Sequence, residues 1–89
     1  MYIKRLVIDA LKPREVSIMD LSKSICELDG VEEVSVIVTE VDVKTETVKI
    51  MISGNDIDFD KMMEAISDSG VSVRSVDEVS LSRIRPSSS

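Results

Sequence analysis

The residues VSVIVTEVDVKTETVKIMIS, numbers 34–53, contain two runs in which Val and Ile recur at every second position. A period of two is typical of β-strands, because successive side chains of a strand point to opposite faces. Between the runs, residues 42–47 are mostly polar and suit a hairpin connection, although no Asn-Gly or Asp-Gly pair fixes the turn type. One face of each strand is purely aliphatic, so the rest of the chain must cover it.

An amphipathic helix is predicted before this hairpin, over residues 16–28. Its apolar stripe consists of Ile18, Leu21, Ile25 and Leu28. Ser17 is a suitable N-cap with Asp20 three residues later, as in a variant of the capping box, and Asp29-Gly30 suits the end of a helix.

A second helix is predicted after the hairpin, over residues 59–69, capped by Asp56 or Asp58 and ended by Gly70. Residues 3–11 and 71–76 alternate again and are predicted to be the first and last strands. Val79 and Leu81 either extend the last strand or form a separate short segment.

The order strand, helix, strand, strand, helix, strand predicts the fold. Two βαβ halves joined by a hairpin form an α+β ferredoxin-like βαββαβ sandwich, in which both helices cover one face of a four-stranded antiparallel sheet. We expect a single domain over residues 1–83 and a flexible C-terminal tail over residues 84–89.

The second face of such a sheet has no helix over it. Alternation along the strands predicts that this face carries five apolar residues, which a monomer would expose as one patch. They are Val7, Ile37, Val41, Met51 and Val76. The simplest cover is another copy of the chain, so we expect a homo-oligomer with these residues at its interface.

Composition argues against several classes of partner. The net charge is −6 and only 2% of residues are aromatic, which disfavours phosphate backbones and base stacking, so no nucleic acid is expected. No apolar run approaches the roughly 20 residues that span a bilayer, and no signal peptide is evident, so no membrane partner is expected. A lone cysteine, Cys26, forms no intramolecular disulfide and predicts a cytoplasmic protein.

The acidic residues are the candidates for chemistry, because the chain has no His and Cys26 is predicted to be a small half-buried residue. Asp9, Glu40 and Asp42 are candidate ligands of Ca²⁺ or Mg²⁺, within one chain or across a subunit boundary, since these ions prefer carboxylate oxygens. Alternatively, Asp9 forms an ion pair with Lys49 or Arg74 on the sheet face.

A further acidic run, DIDFD at residues 56–60, has the same two interpretations. Acids in the first turn of a helix are favoured by its dipole, so helix capping explains the run without a metal. The run also departs from an EF-hand loop, because Lys61 stands where that loop needs glycine.

Three segments together resemble a known family. They are Leu11-Lys12-Pro13, residues 40–49 (EVDVKTETVK) and residues 56–60 (DIDFD). They resemble an archaeal family catalogued as domain of unknown function 211, over nearly the whole chain from Ile3 to about Arg83. The resemblance implies a ferredoxin-like fold, a ring-like homo-oligomer and no established activity. It supplies no catalytic residue.

We therefore expect a small homo-oligomeric protein without catalytic activity, acting as a structural or binding module, with no certain cofactor. A second hypothesis is a regulatory module that binds Ca²⁺, Mg²⁺ or an unidentified small molecule between subunits, as amino-acid-binding domains of this topology do. A third is an enzyme that uses carboxylates with Mg²⁺, but no pair of acids is placed for catalysis by spacing alone.

Overall fold

The fold follows the predicted order of elements. A computed structural model describes residues 1–84 as β1 (Tyr2–Pro13), α1 (Ile18–Cys26), β2 (Val31–Val41), β3 (Thr45–Gly54), α2 (Phe59–Asp68) and β4 (Ser72–Ser82). Of the predicted tail, only Ile84 belongs to the described residues, and residues 85–89 lie outside them. Val79 and Leu81 extend the last strand.

The sheet has the strand order β2-β3-β1-β4, and every neighbouring pair is antiparallel. The two central strands are therefore β3 and β1, and β2 and β4 are the edges. Two helices with this strand order complete the ferredoxin-like α+β fold, which confirms the prediction.

The core lies between the helices and one face of the sheet. Its central strands contribute six fully buried side chains, which are Leu6, Ile8, Ala10, Val48, Ile50 and Ile52. The helices contribute Leu21, Ile25, Met62 and Ile66. Burial of each large aliphatic side chain contributes roughly 1.5–3 kcal/mol, so this layer supplies most of the stabilisation of the domain.

Both helices begin at the type of residue that the sequence predicts. The Ser17 side chain accepts hydrogen bonds from the backbone N–H groups of Met19 and Asp20, which satisfies donors that have no partner within α1. Asp58, rather than Asp56, caps α2 and accepts from the N–H of Lys61. Asp56 instead has a φ of 56° in the turn before the helix.

A bulge in β2 changes the face on which Val41 lies. Val38 is opposite Val48 in β3, but the next paired residues are Glu40 and Thr47, so Thr39 is one residue too many. Residues opposite each other share a face, and an extra residue reverses the alternation beyond it. Val41 is opposite Glu46 and lies on the helix side of the sheet. Its predicted place on the open face was wrong.

A bulge at Arg74 in β4 has the same effect on Val76, and a second bulge follows at Asp77. Arg74 and Asp77 have no partner of their own in the register with β1, and Val76 is opposite the buried Ile8. Val76 therefore lies on the helix side, and its predicted place on the open face was also wrong. A strict period of two fails wherever a bulge inserts a residue.

Candidate functional site

The open face, meaning the sheet face turned away from the helices, is more polar than predicted. By the register it carries Tyr2, Arg5, Val7, Asp9, Leu11, Pro13, Glu33, Ser35, Ile37, Glu40, Thr45, Thr47, Lys49, Met51, Ser53, Ser72, Ser75, Glu78, Ser80 and Ser82. Val7 is only 7% exposed, and Met51, directly opposite it, is half-buried. Ile37 is 47% exposed. Without Val41 and Val76, this face does not form the continuous apolar patch that alternation predicts.

Charged side chains on the open face form ion pairs between strands. Arg5 Nε lies 2.8 Å from Glu78 Oε2, and Arg74 Nε lies 3.8 Å from Asp9 Oδ2. Lys49 is opposite Asp9 on the other side. The predicted ion pair of Asp9 with Arg74 is therefore formed. These pairs are largely exposed, so each stabilises the sheet by only about 0–1 kcal/mol.

The three acids predicted to bind a metal ion do not converge within one chain. Asp9 lies on β1 and Glu40 on β2, with β3 between them. Two strand spacings separate their backbones by roughly 10 Å. Ligands of one Ca²⁺ ion each bind at about 2.4 Å, so their oxygens lie within about 5 Å of one another. A site shared across a subunit boundary stays a prediction.

The other acids are explained by the local structure. Asp42 lies in the β2–β3 turn, where its Oδ1 accepts from the N–H of Val43. Asp58 caps α2, as described above. In the part of the chain that the structure describes, no group of three His, Cys, Asp or Glu side chains is placed to hold a metal ion.

Cys26 is exposed, so its prediction as half-buried was wrong. The buried positions of α1 are Leu21 and Ile25, and Cys26 follows directly after the second of these, on the solvent side of the helix.

The buried residue that sequence reasoning missed is Lys12, whose side chain is 1% exposed. Its Nζ lies 2.6 Å from Glu46 Oε1 and donates to the carbonyl oxygens of Pro13 and Val16 at 3.0 and 2.5 Å. The ammonium group therefore has two hydrogen-bond acceptors and an ion-pair partner, which marks Lys12 as a structural residue. The alternation Leu6, Ile8, Ala10 already places position 12 on the covered face.

A row of exposed apolar residues lies on the helix side of β4. Val76, Val79 and Leu81 are 37%, 49% and 55% exposed. Val76 and Val79 are opposite Ile8 and Leu6, which are fully buried at the same positions along the strand direction. Because β4 is an edge strand, the helix layer covers β1 beside it but leaves the row on β4 exposed.

The opposite edge is acidic at both ends of β2. Glu32 and Glu33 lie near its start, and Glu40 and Asp42 near its end, all four exposed. Between them, Val34, Val36 and Val38 face the helix side and are only partly buried. Each edge strand of the sheet therefore carries a row of partly exposed aliphatic residues, and charged residues lie near the ends of the strand.

The remaining surface features give less indication of a binding site. An open hollow beside α2 is lined by Leu28, Lys61, Glu64, Ala65 and Asp68. Throughout residues 1–84, no buried side-chain nitrogen or oxygen lacks a hydrogen-bond partner, so no unsatisfied group points to a missing ligand. Within the same residues, neither helix is long and apolar enough to cross a membrane.

Comparison with known proteins agrees with the resemblance in the three segments. Residues 4–83 match the family DUF211, described as "Uncharacterized ArCR". "Uncharacterized protein MJ0319" of the archaeon Methanocaldococcus jannaschii is 42% identical over 77 residues, which cover 86% of this chain and 79% of that protein. A family match over nearly the whole chain, together with this relative, confirms the predicted family: the chain belongs to DUF211.

Proposed function

We propose that this protein is a cytoplasmic, non-catalytic homo-oligomer that acts as a structural or binding module. The observation that supports this most directly is the exposed apolar row of β4, formed by Val76, Val79 and Leu81. A row of exposed apolar residues is a suitable surface for another molecule to cover. Wherever the protein is made, other copies of the same chain are present, and one of them can cover this row.

The residue composition favours a module without chemistry of its own. The chain contains no His and a single Cys, so the commonest general base and the commonest thiol arrangements are lacking. The carboxylates of Asp9 and Asp58 have structural partners in Arg74 and in the N-terminus of α2.

Sedimentation equilibrium and light scattering at micromolar concentration test the proposal. The protomer mass is 9.8 kDa, and we expect a species whose mass is a whole-number multiple of this value. A particle of one protomer mass, unchanged as the protein concentration rises, would contradict homo-oligomerisation.

The alternative function is a regulatory module that binds a divalent cation or a small molecule between subunits. It is favoured by the position of Glu40 and Asp42 at an exposed sheet edge, where a subunit boundary would bring further ligands. Thermal unfolding with Ca²⁺, Mg²⁺, amino acids and nucleotides separates the two functions, because only a ligand that binds the native state raises the melting temperature. No shift with any of them would remove this alternative.

A further inference from the structure

We propose that copies of the chain join edge to edge, with β4 of one copy paired to β2 of the next in a head-to-tail joint. This inference rests on the proposed homo-oligomer and specifies its interface. Each of these strands is paired on one side only, so each presents unpaired backbone N–H and C=O groups. Such an edge is a template for another strand.

The directions of the two edge strands suit this joint. β1 is antiparallel to β3 and to β4, and β3 is antiparallel to β2, so β2 and β4 run in opposite directions. When two copies have the same orientation, β4 of one copy therefore meets β2 of the next as an antiparallel pair. The start of β4 then lies beside the end of β2.

The aliphatic residues of both edges are on the same side of the sheet. Val76, Val79 and Leu81 of β4 are opposite Ile8, Leu6 and Ile3, and all face the helix side. The partly buried valines of β2 are opposite core residues of β3 and face the same side. A joint that continues the sheet brings the two rows together and covers both, as cross-strand apolar pairs do inside a sheet.

Charge favours joining unlike edges over joining like ones. Arg74 lies near the start of β4 and Arg83 just after its end, both exposed. In the head-to-tail joint, Arg74 lies near the exposed acids Glu40 and Asp42 at the end of β2. At the other end of the joint, Arg83 lies near Glu32 and Glu33.

A symmetric joint between like edges has the opposite electrostatics. Two antiparallel β4 strands would bring Arg74 of one copy toward Arg83 of the other, and two β2 strands would bring their acidic ends together. Like charges placed across a strand pair destabilise it.

The head-to-tail joint leaves one unpaired edge strand at each end of a pair of copies. Further copies can therefore join until the assembly closes on itself.

Charge reversal of one edge at a time tests the joint. The β4 variant is Arg74→Glu with Arg83→Glu, and the β2 variant is Glu33→Lys with Glu40→Lys. The β4 variant places like charges across every joint, and the β2 variant brings a Lys toward each Arg of β4 and cancels the net negative charge at both ends of β2. We expect the apparent dissociation constant of each to rise roughly tenfold or more. Joints between the two variants again have opposite charges, so mixing them in equal amounts should form a mixed oligomer, and native mass spectrometry should show both chains in it.

The matched control reverses two positive charges on the open face, Arg5→Glu with Lys49→Glu, and should assemble like the original chain. Circular dichroism and thermal unfolding verify that all variants fold. If the open-face control dissociates while both edge variants stay assembled, the edge joint is overturned and the homo-oligomer stands. If neither edge variant assembles more weakly than the original chain, or if mixing the two does not restore assembly, the head-to-tail joint is overturned, because a symmetric joint keeps like charges opposite each other when both are reversed. If the original chain is monomeric, the proposed function itself fails.

Discussion

Lys12 offers a sharp test of how the structure accounts for stability. Its ammonium group is almost fully buried and binds Glu46 together with the carbonyl oxygens of Pro13 and Val16. These contacts connect the end of β1, the turn before α1 and the start of β3. We predict that Lys12→Met, which keeps the apolar stem and removes the charge, destabilises the domain strongly.

The expected loss is about 3 kcal/mol in the free energy of unfolding. The favourable ion pair and the cost of burying the ammonium roughly cancel, because taking a charge out of water is expensive. Glu46 is 20% exposed and can turn toward water, so its own loss is small. What remains is two carbonyl oxygens without their donor, at about 1.5 kcal/mol each. For a domain of this size the melting temperature should fall by roughly 15 °C.

Urea denaturation followed by circular dichroism, at one fixed protein concentration, measures the loss. Lys49→Met is the matched control, because this substitution makes the same chemical change at an exposed position of the open face. It should alter the free energy of unfolding by no more than about 0.5 kcal/mol. If Lys12→Met is no less stable than Lys49→Met, the buried ammonium does not hold the three segments together, and this account of the contact is refuted.

Two further predictions concern the turn before β2 and the start of α1. Gly30→Ala should cost roughly 2–4 kcal/mol, because Gly30 has a φ of +87° and an added Cβ would lie 2.7 Å from the carbonyl oxygens of Asn55 and Asp56. Gly70→Ala, at a φ of +82° but in open space, should cost only about 1 kcal/mol, and equal losses in urea denaturation would rule out the close approach. Ser17→Ala should lower stability by about 1 kcal/mol through loss of the α1 cap. The exposed helical Ser24→Ala should be neutral or slightly stabilising, and a cap variant as stable as this control would show that the cap contributes nothing.

The sequence was sufficient for features that depend on local spacing. The helices follow from apolar stripes between a capping residue and a glycine, and the hairpin strands follow from aliphatic residues at every second position. Both are short-range properties, since side-chain direction repeats every 3.6 or 2 residues. The order of elements then leaves few chain topologies, and the ferredoxin-like one is what the structure has.

The tertiary structure decided which apolar residues remain exposed. Bulges at Thr39 and Arg74 reverse the faces of the residues beyond them, so Val41 and Val76 lie on the helix side. A bulge is set by how two distant strands pair, which local periodicity does not contain. The same holds for Lys12, whose acceptors come from three separate segments, and for Asp9 and Glu40, which β3 keeps apart. Pairing register and the edge position of β4, both properties of the assembled sheet, determine which apolar residues stay exposed.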